Sequence, residues 1–284
     1  MKTINIGGVP EHFNLAWYLT LKEGLYKKDQ INLRWHDYPD GTGAMCEALR
    51  DGHIDMAVIL TEGIIKDVIA GNPTKIIQTF VKTPLIWGIH VAAKSQFQAI
   101  SDLKGKKAAI SRYGSGSHLM TYIHAKNNGW DLKNDLKFTV VDTLEGAVTA
   151  LNNGTADYFM WEKFMTKPLV DTGVFRRLGK CPTPWPCFVI AARTNFISQN
   201  KPELQNIINT INKATKQFKS IPDIDKLIAA RYNQQLADVQ EWLSLTEWSD
   251  KQPSEATIYD IQQQLLALDI IPKTVPYNAL VHLF

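Results

Sequence analysis

The stretch best suited to chemistry is Ser111-Arg112-Tyr113-Gly114-Ser115-Gly116-Ser117-His118, set between an expected strand over 107–110 and an expected helix over 118–127. Amides exposed at a helix start, two flexible glycines and three hydroxyls make a cradle for a carboxylate, sulfonate or phosphate. The same residues also suit an ordinary strand-to-helix turn in which Ser117 caps the helix. Their position after a strand, where open α/β sheets bind ligands, favours the ligand site.

Other polar candidates fall in equivalent places nearer the N-terminus. In the loop Pro10-Glu11-His12-Phe13, His12 can donate, accept or titrate near neutrality, and Glu11 can orient it or meet a ligand cation. Thr42 and Gly43 open a helix and offer a hydroxyl and an amide. Thr61 and Glu62 follow a strand; Glu62 suits an amine or ring N–H, or simply the positive end of a helix dipole. Glu162 holds the matching place later in the chain. Trp87, Tyr113, Trp161 and Trp185 could supply flat apolar walls of the kind small-molecule pockets have. Neither Cys-x-x-Cys nor His-Glu-x-x-His occurs, so no metal site and no cofactor is expected.

These residues need elements to hold them. Strand-like runs alternate with helical patterns from the first residues, the grammar of βαβ units and mainly parallel sheets. Lys2-Thr3-Ile4-Asn5-Ile6-Gly7-Gly8 reads as a strand, over 3–6, and its turn, followed by strands over 31–36 and 55–60. Residues 61–63 read as a loop. The pattern Ala48-Leu49-x-x-Gly52-x-x-Asp55 recurs as Ala150-Leu151-x-x-Gly154-x-x-Asp157, each copy followed by an apolar run. A spacing this wide suits two similar lobes rather than a solenoid. Trp87–Ala93 and Cys187–Ala192 read as strands crossing between the lobes, with hinges near 88–92 and 188–192. The expected division is 1–90 and 189–284 for the first lobe and 91–188 for the second.

Composition narrows the function classes. The 284 residues are 45% hydrophobic and 21% charged, ordinary for a globular α/β chain. The net charge of +3 is dispersed, so nucleic acid is not an expected partner. No apolar run reaches membrane-spanning length, so an integral membrane protein is not expected. Cys46, Cys181 and Cys187 are too few for a disulfide framework and are expected as free thiols. Met1 leads directly into the first strand without a charged and apolar leader, so the cytoplasm is the expected location, or the periplasm or cell exterior had a leader been removed.

Together the Ile-Gly-x-x-Pro near the start, the two Ala-Leu-x-x-Gly-x-x-Asp copies, Asp102-Leu103-Lys104-Gly105-Lys106-Lys107 and the glycine-serine loop carry a resemblance. The chain resembles the type II periplasmic-binding-protein-like superfamily, in its nitrate/sulfonate/taurine branch, which also contains the thiamine-pyrimidine synthases. The resemblance implies two α/β lobes, two crossover hinge strands, and a small ligand at strand ends facing a cleft. It also implies an ABC transporter as partner, an expectation that the lack of a leader turns toward a cytoplasmic offshoot. The cysteine-rich iron motif of the synthases is absent; only Cys181 and Cys187 stand near one another. The expected function is hinge-closing, non-catalytic binding of a small anionic or zwitterionic organic ligand: a sulfonate, carboxylate, phosphate or pyrimidine-like molecule. The alternative is a cytoplasmic enzyme on the same fold with His12, Glu11 and Glu62 as acid and base.

Overall fold

A computed structural model describes residues 1–283, which form two compact units, 1–83 with 185–283 and 84–184. In the first unit the chain runs through β1 (Lys2–Gly8), α1 (Leu15–Lys22), β2 (Ile31–Asp37), α2 (Thr42–Asp51), β3 (Met56–Leu60), α3 (Thr61–Ile69) and β4 (Thr74–Val81). The second unit follows with β5 (Ile86–Ala92), β6 (Lys107–Ile110), α4 (Gly116–Asn127), β7 (Lys137–Val140), α5 (Leu144–Asn152), β8 (Tyr158–Glu162), α6 (Lys167–Asp171) and β9 (Phe175–Pro182). The chain then returns to the first unit as β10 (Phe188–Arg193), α7 (Thr194–Gln199) and α8 (Lys201–Gln217). It continues through α9 (Ile224–Tyr232), α10 (Leu236–Leu245), α11 (Glu255–Ala267) and α12 (Tyr277–Leu280).

Each unit holds one five-stranded sheet, ordered β2-β1-β3-β10-β4 in the first and β7-β6-β8-β5-β9 in the second. In both, three parallel strands adjoin one antiparallel strand, β10 or β5, which is followed by an edge strand. The sheets are thus mixed, and the shared order is the structural form of the sequence repeat. Helices such as α2 and α8 bury an apolar stripe, Met45, Cys46, Ala48 and Leu49 in α2 and Leu204, Ile207, Ile208 and Ile211 in α8.

The duplicated motif has the same job in each unit. Gly52 and Gly154 adopt φ of 82° and 76°, the left-handed conformation in which a helix end can turn without a Cβ penalty. Three residues on, Asp55 exchanges backbone and side-chain bonds with β1: its N–H donates to the Asn5 carbonyl at 2.8 Å, and its Oδ2 accepts from the Asn5 N–H at 2.9 Å. Asp157 does the same with Lys107 of β6, both bonds at 2.8 Å. The aspartate therefore sets the register of a parallel pair whose own ladder is short, Ile6↔Met56 and Gly7↔Ala57 in one unit, Ala108↔Tyr158 and Ala109↔Phe159 in the other.

Three expectations change. The units part at 83/84 and 184/185 rather than 90/91 and 188/189, because β5 is hydrogen-bonded on both sides within the second sheet and β10 on both sides within the first. Residues 88–92 and 188–192 are thus interior strand, not hinge; the chain passes between units beside them. Gly7 and Gly8 stay in β1 rather than turning, and their missing side chains admit neighbouring rings: a Cβ on Gly8 would collide with the Trp35 indole and one on Gly7 would press on Tyr38. Thr61-Glu62-Gly63 is no loop but the first turn of α3, which starts directly at the end of β3. The three cysteines are free and buried. No helix among the described residues is long and apolar enough to cross a membrane.

Replacing either register aspartate by alanine removes a charge-assisted acceptor and leaves a strand N–H unmet, a loss of about 1.5–3 kcal/mol where water cannot substitute. Asp55, whose bond is partly buried, should lie in that range, and Asp157, whose bond is exposed, should cost less. Urea unfolding of Asp55→Ala and Asp157→Ala measures both losses.

Candidate functional site

The glycine-serine stretch forms a compact turn between β6 and α4. Gly114 has φ of 76°, a conformation that favours glycine, and the Ser115 amide donates to the Arg112 carbonyl at 3.2 Å. Ser115, not Ser117, is the helix cap: its Oγ accepts the His118 N–H at 3.3 Å. Ser117 lies within the first turn, where its Oγ accepts the Ser111 N–H at 3.0 Å and stands 3.0 Å from Ser115 Oγ and 3.3 Å from Ser111 Oγ. His118 Nδ1 accepts the Gly114 N–H at 3.1 Å, so a neutral imidazole carries its proton on Nε2. The three hydroxyls thus rigidify the loop more than they line it. Gly116 is half-buried, while Arg112, Tyr113 and Gly114 form the exposed rim. Arg112 supplies positive charge beside a helix start whose first amides lack intrahelical acceptors.

At the matching edge of the first sheet, α3 begins with a different chemistry. Thr61 is buried; its Oγ1 donates to the Pro186 carbonyl at 2.7 Å and its N–H to the Cys187 carbonyl at 3.0 Å, fastening the returning chain. Trp185 belongs to this same unit and donates its indole N–H to Glu62 Oε2 at 2.8 Å. Glu62 is only 3% exposed, Oε1 has no partner among the described residues, and burial raises its carboxyl to about 7. Thr42 packs its methyl against Gly63, where a Cβ would collide with it, so the starts of α2 and α3 touch; Thr42 and Gly43 are both half-buried.

The histidine loop departs furthest from expectation. His12 is fully buried, with Trp242 edge-on at 4.2 Å, Phe13 stacked at 4.9 Å and Tyr232 at 5.9 Å between ring centres. Desolvation draws its imidazole down to about 3, so it is a neutral core residue rather than a surface acid or base. Phe13 is core as well, against Phe188 and Trp242. Pro10 stays exposed, and Glu11 is half-buried, its carboxyl raised to about 7 by desolvation and its carbonyl accepting from the Tyr232 hydroxyl.

In the second unit Glu162 is the last residue of β8 rather than part of a loop, and its Oε2 accepts the N–H groups of Phe164 and Met165 at 2.8 and 2.7 Å. It shapes the following turn. Trp161, also within β8, stacks on Phe159 at 5.3 Å and is half-buried. Trp87 opens β5 opposite Glu162, is buried, and leaves its indole N–H without a partner among the described residues. Ser111, Ser115, Ser117, Trp87 and Glu162 therefore stand at one edge of one sheet, the ends of β6 and β8 and the start of β5.

Two clusters had no mark in the motif reading. Asp37, ending β2, accepts on Oδ1 from the Tyr18 hydroxyl and, at 2.9 Å, from Trp35 Nε1, while the Arg231 guanidinium lies 4.3 Å from the Tyr18 ring centre. The Gly-Gly doublet was the available signal for it. In the second unit His90, wholly buried, bonds Thr166 Oγ1 at 2.9 Å, and burial, helped by the Arg177 charge, lowers its imidazole to about 3. Among the described residues no three His, Cys, Asp or Glu side chains gather as a metal site. A separate surface groove of about 680 Å³ lies between α1 and α8, lined by Leu19, Leu25, Ala214, Phe218 and Ile221, away from all the candidates.

Comparison with known proteins agrees with this architecture. Residues 87–181 match the family described as Ca3427-like PBP. The Candida albicans CA3427 gene product, described as defining a family with the generic periplasmic binding protein fold, superposes with a TM-score of 0.90 at 21% identity, over 99% of this chain and 96% of that one. The alkanesulfonate-binding protein SsuA from Xanthomonas axonopodis pv. citri, bound to MOPS, gives a TM-score of 0.82 at 20% identity over 98% and 97%. A curated Escherichia coli (strain K12) protein, provisionally described as aliphatic sulfonates-binding, is 26% identical over 266 residues, 90% of this chain and 79% of that one. The fold of this chain is the one these structures share, the generic periplasmic binding protein fold, here two α/β units each built on a mixed five-stranded sheet.

The buried titratable groups oppose one another with pH. An imidazole lowered on folding contributes stability above 6.5 that is lost as pH falls, to about 3 for His12 and His90 and about 4 for His124. A carboxyl raised on folding contributes stability below 4.5 that is lost as pH rises through about 7, as for Glu11 and Glu62. Unfolding free energy should therefore decline shallowly between pH 6.5 and 4.5 and steeply below. Glu62→Gln should steepen the shallow part by about 1.4 kcal/mol per pH unit, measured by urea unfolding across pH.

Proposed function

We propose that the protein binds a small organic anion or zwitterion and releases it chemically unaltered. The observation that carries this reading is the Ser111–His118 turn. It is held rigid by its own hydroxyls, starts a twelve-residue helix at the carboxyl end of a parallel strand, and carries Arg112 on its exposed rim. A preformed loop of this kind gives an anion hydrogen-bond donors and positive potential with little ordering cost. The sulfonate ligands named for two structural and sequence relatives support the same class of ligand. The burial of His12 among aromatic rings, neutral at physiological pH, removes the histidine that an acid–base mechanism would have used first.

Native mass spectrometry of freshly purified protein is expected to show a co-purified small anion, and calorimetry against sulfonate, carboxylate and phosphate series to show saturable one-to-one binding. Arg112→Ala, at an exposed position, should weaken that binding several-fold with unchanged thermal stability. Ser115→Ala should weaken it and also cost about 1 kcal/mol as a lost helix cap. Binding indifferent to both substitutions would place the anion elsewhere. A ligand recovered with altered mass after long incubation would replace binding with catalysis.

A further inference from the structure

The groove between α1 and α8 lies wholly in the first unit, whereas the Ser111–His118 turn belongs to the second. Its floor is apolar. The lining residues that are buried are Ala16, Thr20 and Phe218, and Thr20 spends its hydroxyl on the Trp17 carbonyl at 2.9 Å, with the Tyr26 hydroxyl 3.0 Å away. The floor therefore presents carbon rather than hydrogen-bonding groups. Half-buried Leu19, Leu25 and Ile221 carry the apolar surface outward, and the short side chains of Ala16 and Ala214 leave a hollow of about 680 Å³. A hydrocarbon laid there would take these aliphatic groups out of water.

The rim has the opposite character. Glu23, Lys28, Asn209, Lys213 and Gln217 line the groove and are all exposed. The segments that build it, 19–28 and 209–221, carry Lys22, Lys27, Lys28, Lys213, Lys216 and Lys219 against the single acid Glu23. Lys216 is held by Asp250 at 2.7 Å, whereas Lys28 and Lys213 enter no ion pair among the described residues. Positive potential thus collects at the mouth of an apolar hollow. The occupant that matches both is a hydrocarbon body with an anionic head.

Size decides between a small molecule and a peptide helix. A helix with its side chains, roughly 10–12 Å across and rising 5.4 Å per turn, fills about 500 Å³ per turn. The hollow takes little more than one turn, too short for the anchors at i, i+3, i+4 and i+7 by which helices dock in grooves. It falls within the range of small-molecule sites, roughly 300–1,000 Å³.

We propose that this groove is a second ligand site, taking a free single-chain anionic amphiphile such as a medium-chain carboxylate, with the chain on the apolar floor and the head at Lys28 and Lys213. The site is independent of anion binding at the Ser111–His118 turn and stands whether or not that function does.

The test titrates the intact protein with decanoate, hexanoate and decan-1-ol below micelle formation, by calorimetry at neutral pH and low salt. Decanoate should bind one-to-one and tighter than hexanoate by about ten-fold or more, for its additional methylenes. It should lead decan-1-ol by about three-fold or more, a lead that shrinks as salt rises. Hydrogen exchange should slow in residues 16–28 and 209–221 when decanoate is added. In the double variant Lys28→Gln, Lys213→Gln the lead over decan-1-ol should vanish while decan-1-ol binds as before. In Ala214→Phe, checked for folding by circular dichroism, the added ring fills the hollow, and decanoate and decan-1-ol should both weaken by about ten-fold or more. Where Ala214→Phe does not fold, the lysine variant, altered only at exposed positions, carries the test. Absence of decanoate binding overturns the inference, as does hexanoate binding equal to decanoate. A lead over the alcohol that survives the lysine changes, undiminished binding by a folded Ala214→Phe, or exchange slowed only outside the two segments does the same. Binding seen only above micelle formation, or only to anionic phospholipid vesicles, overturns a free amphiphile as the occupant.

Discussion

The placement of the candidates that end β3 and β8 depends on one reciprocal hydrogen-bond pair, made once in each unit: an aspartate just before a strand, bonded through both backbone and carboxylate to the first parallel strand beside it. A slip of one residue in a strand turns every side chain to the opposite face. Here the ladders that would resist a slip are two residue pairs long, and Asp55 and Asp157 add the missing constraint. With that register, β3 delivers Thr61 and Glu62 into the first turn of α3, and β8 ends with Glu162 opposite Trp87. The glycines before the aspartates serve the same end, since a left-handed residue lets the chain leave the helix and enter the strand after four residues in one unit and five in the other.

Given this frame, the two units diverge by what they place at the strand ends. The second closes a short polar turn on itself, with serine hydroxyls satisfying one another and a strand amide, and leaves arginine and glycine outward. The first buries its polar groups. His12 sits among aromatic rings, and Glu62 is held by an indole, so that desolvation rather than nearby charge sets the protonation of both. Removing water from a histidine and a glutamate favours the neutral form of each, with opposite consequences for stability as pH falls.

Much of this was legible in the chain itself. Strand and helix order, the left-handed glycine stops, the Ser111–His118 turn and the two-lobed α/β class follow from periodicity, from residues with special backbone preferences, and from a motif repeated at wide spacing. What failed to show had a common cause. His12 is a polar residue in a polar-looking loop, and nothing near it in the chain announces Trp242, which arrives from α10. Gly7-Gly8 looks like a turn because glycine is common in turns, yet the constraint comes from Trp35 and Tyr38 across the sheet.

Local sequence therefore determined the elements, their order and the tight turn at the start of α4, because capping, helix termination and strand alternation act between residues a few positions apart. Tertiary structure alone decided which candidates are core and which stay exposed. It paired Trp185 with Glu62 across 123 positions of sequence and left the second oxygen of Glu62 unmet. It also moved the passages between units away from the strands expected to cross, since a strand bonded on both sides belongs wholly to its sheet. Burial is a property of what the rest of the chain brings, and the residues beside a side chain in sequence do not carry it.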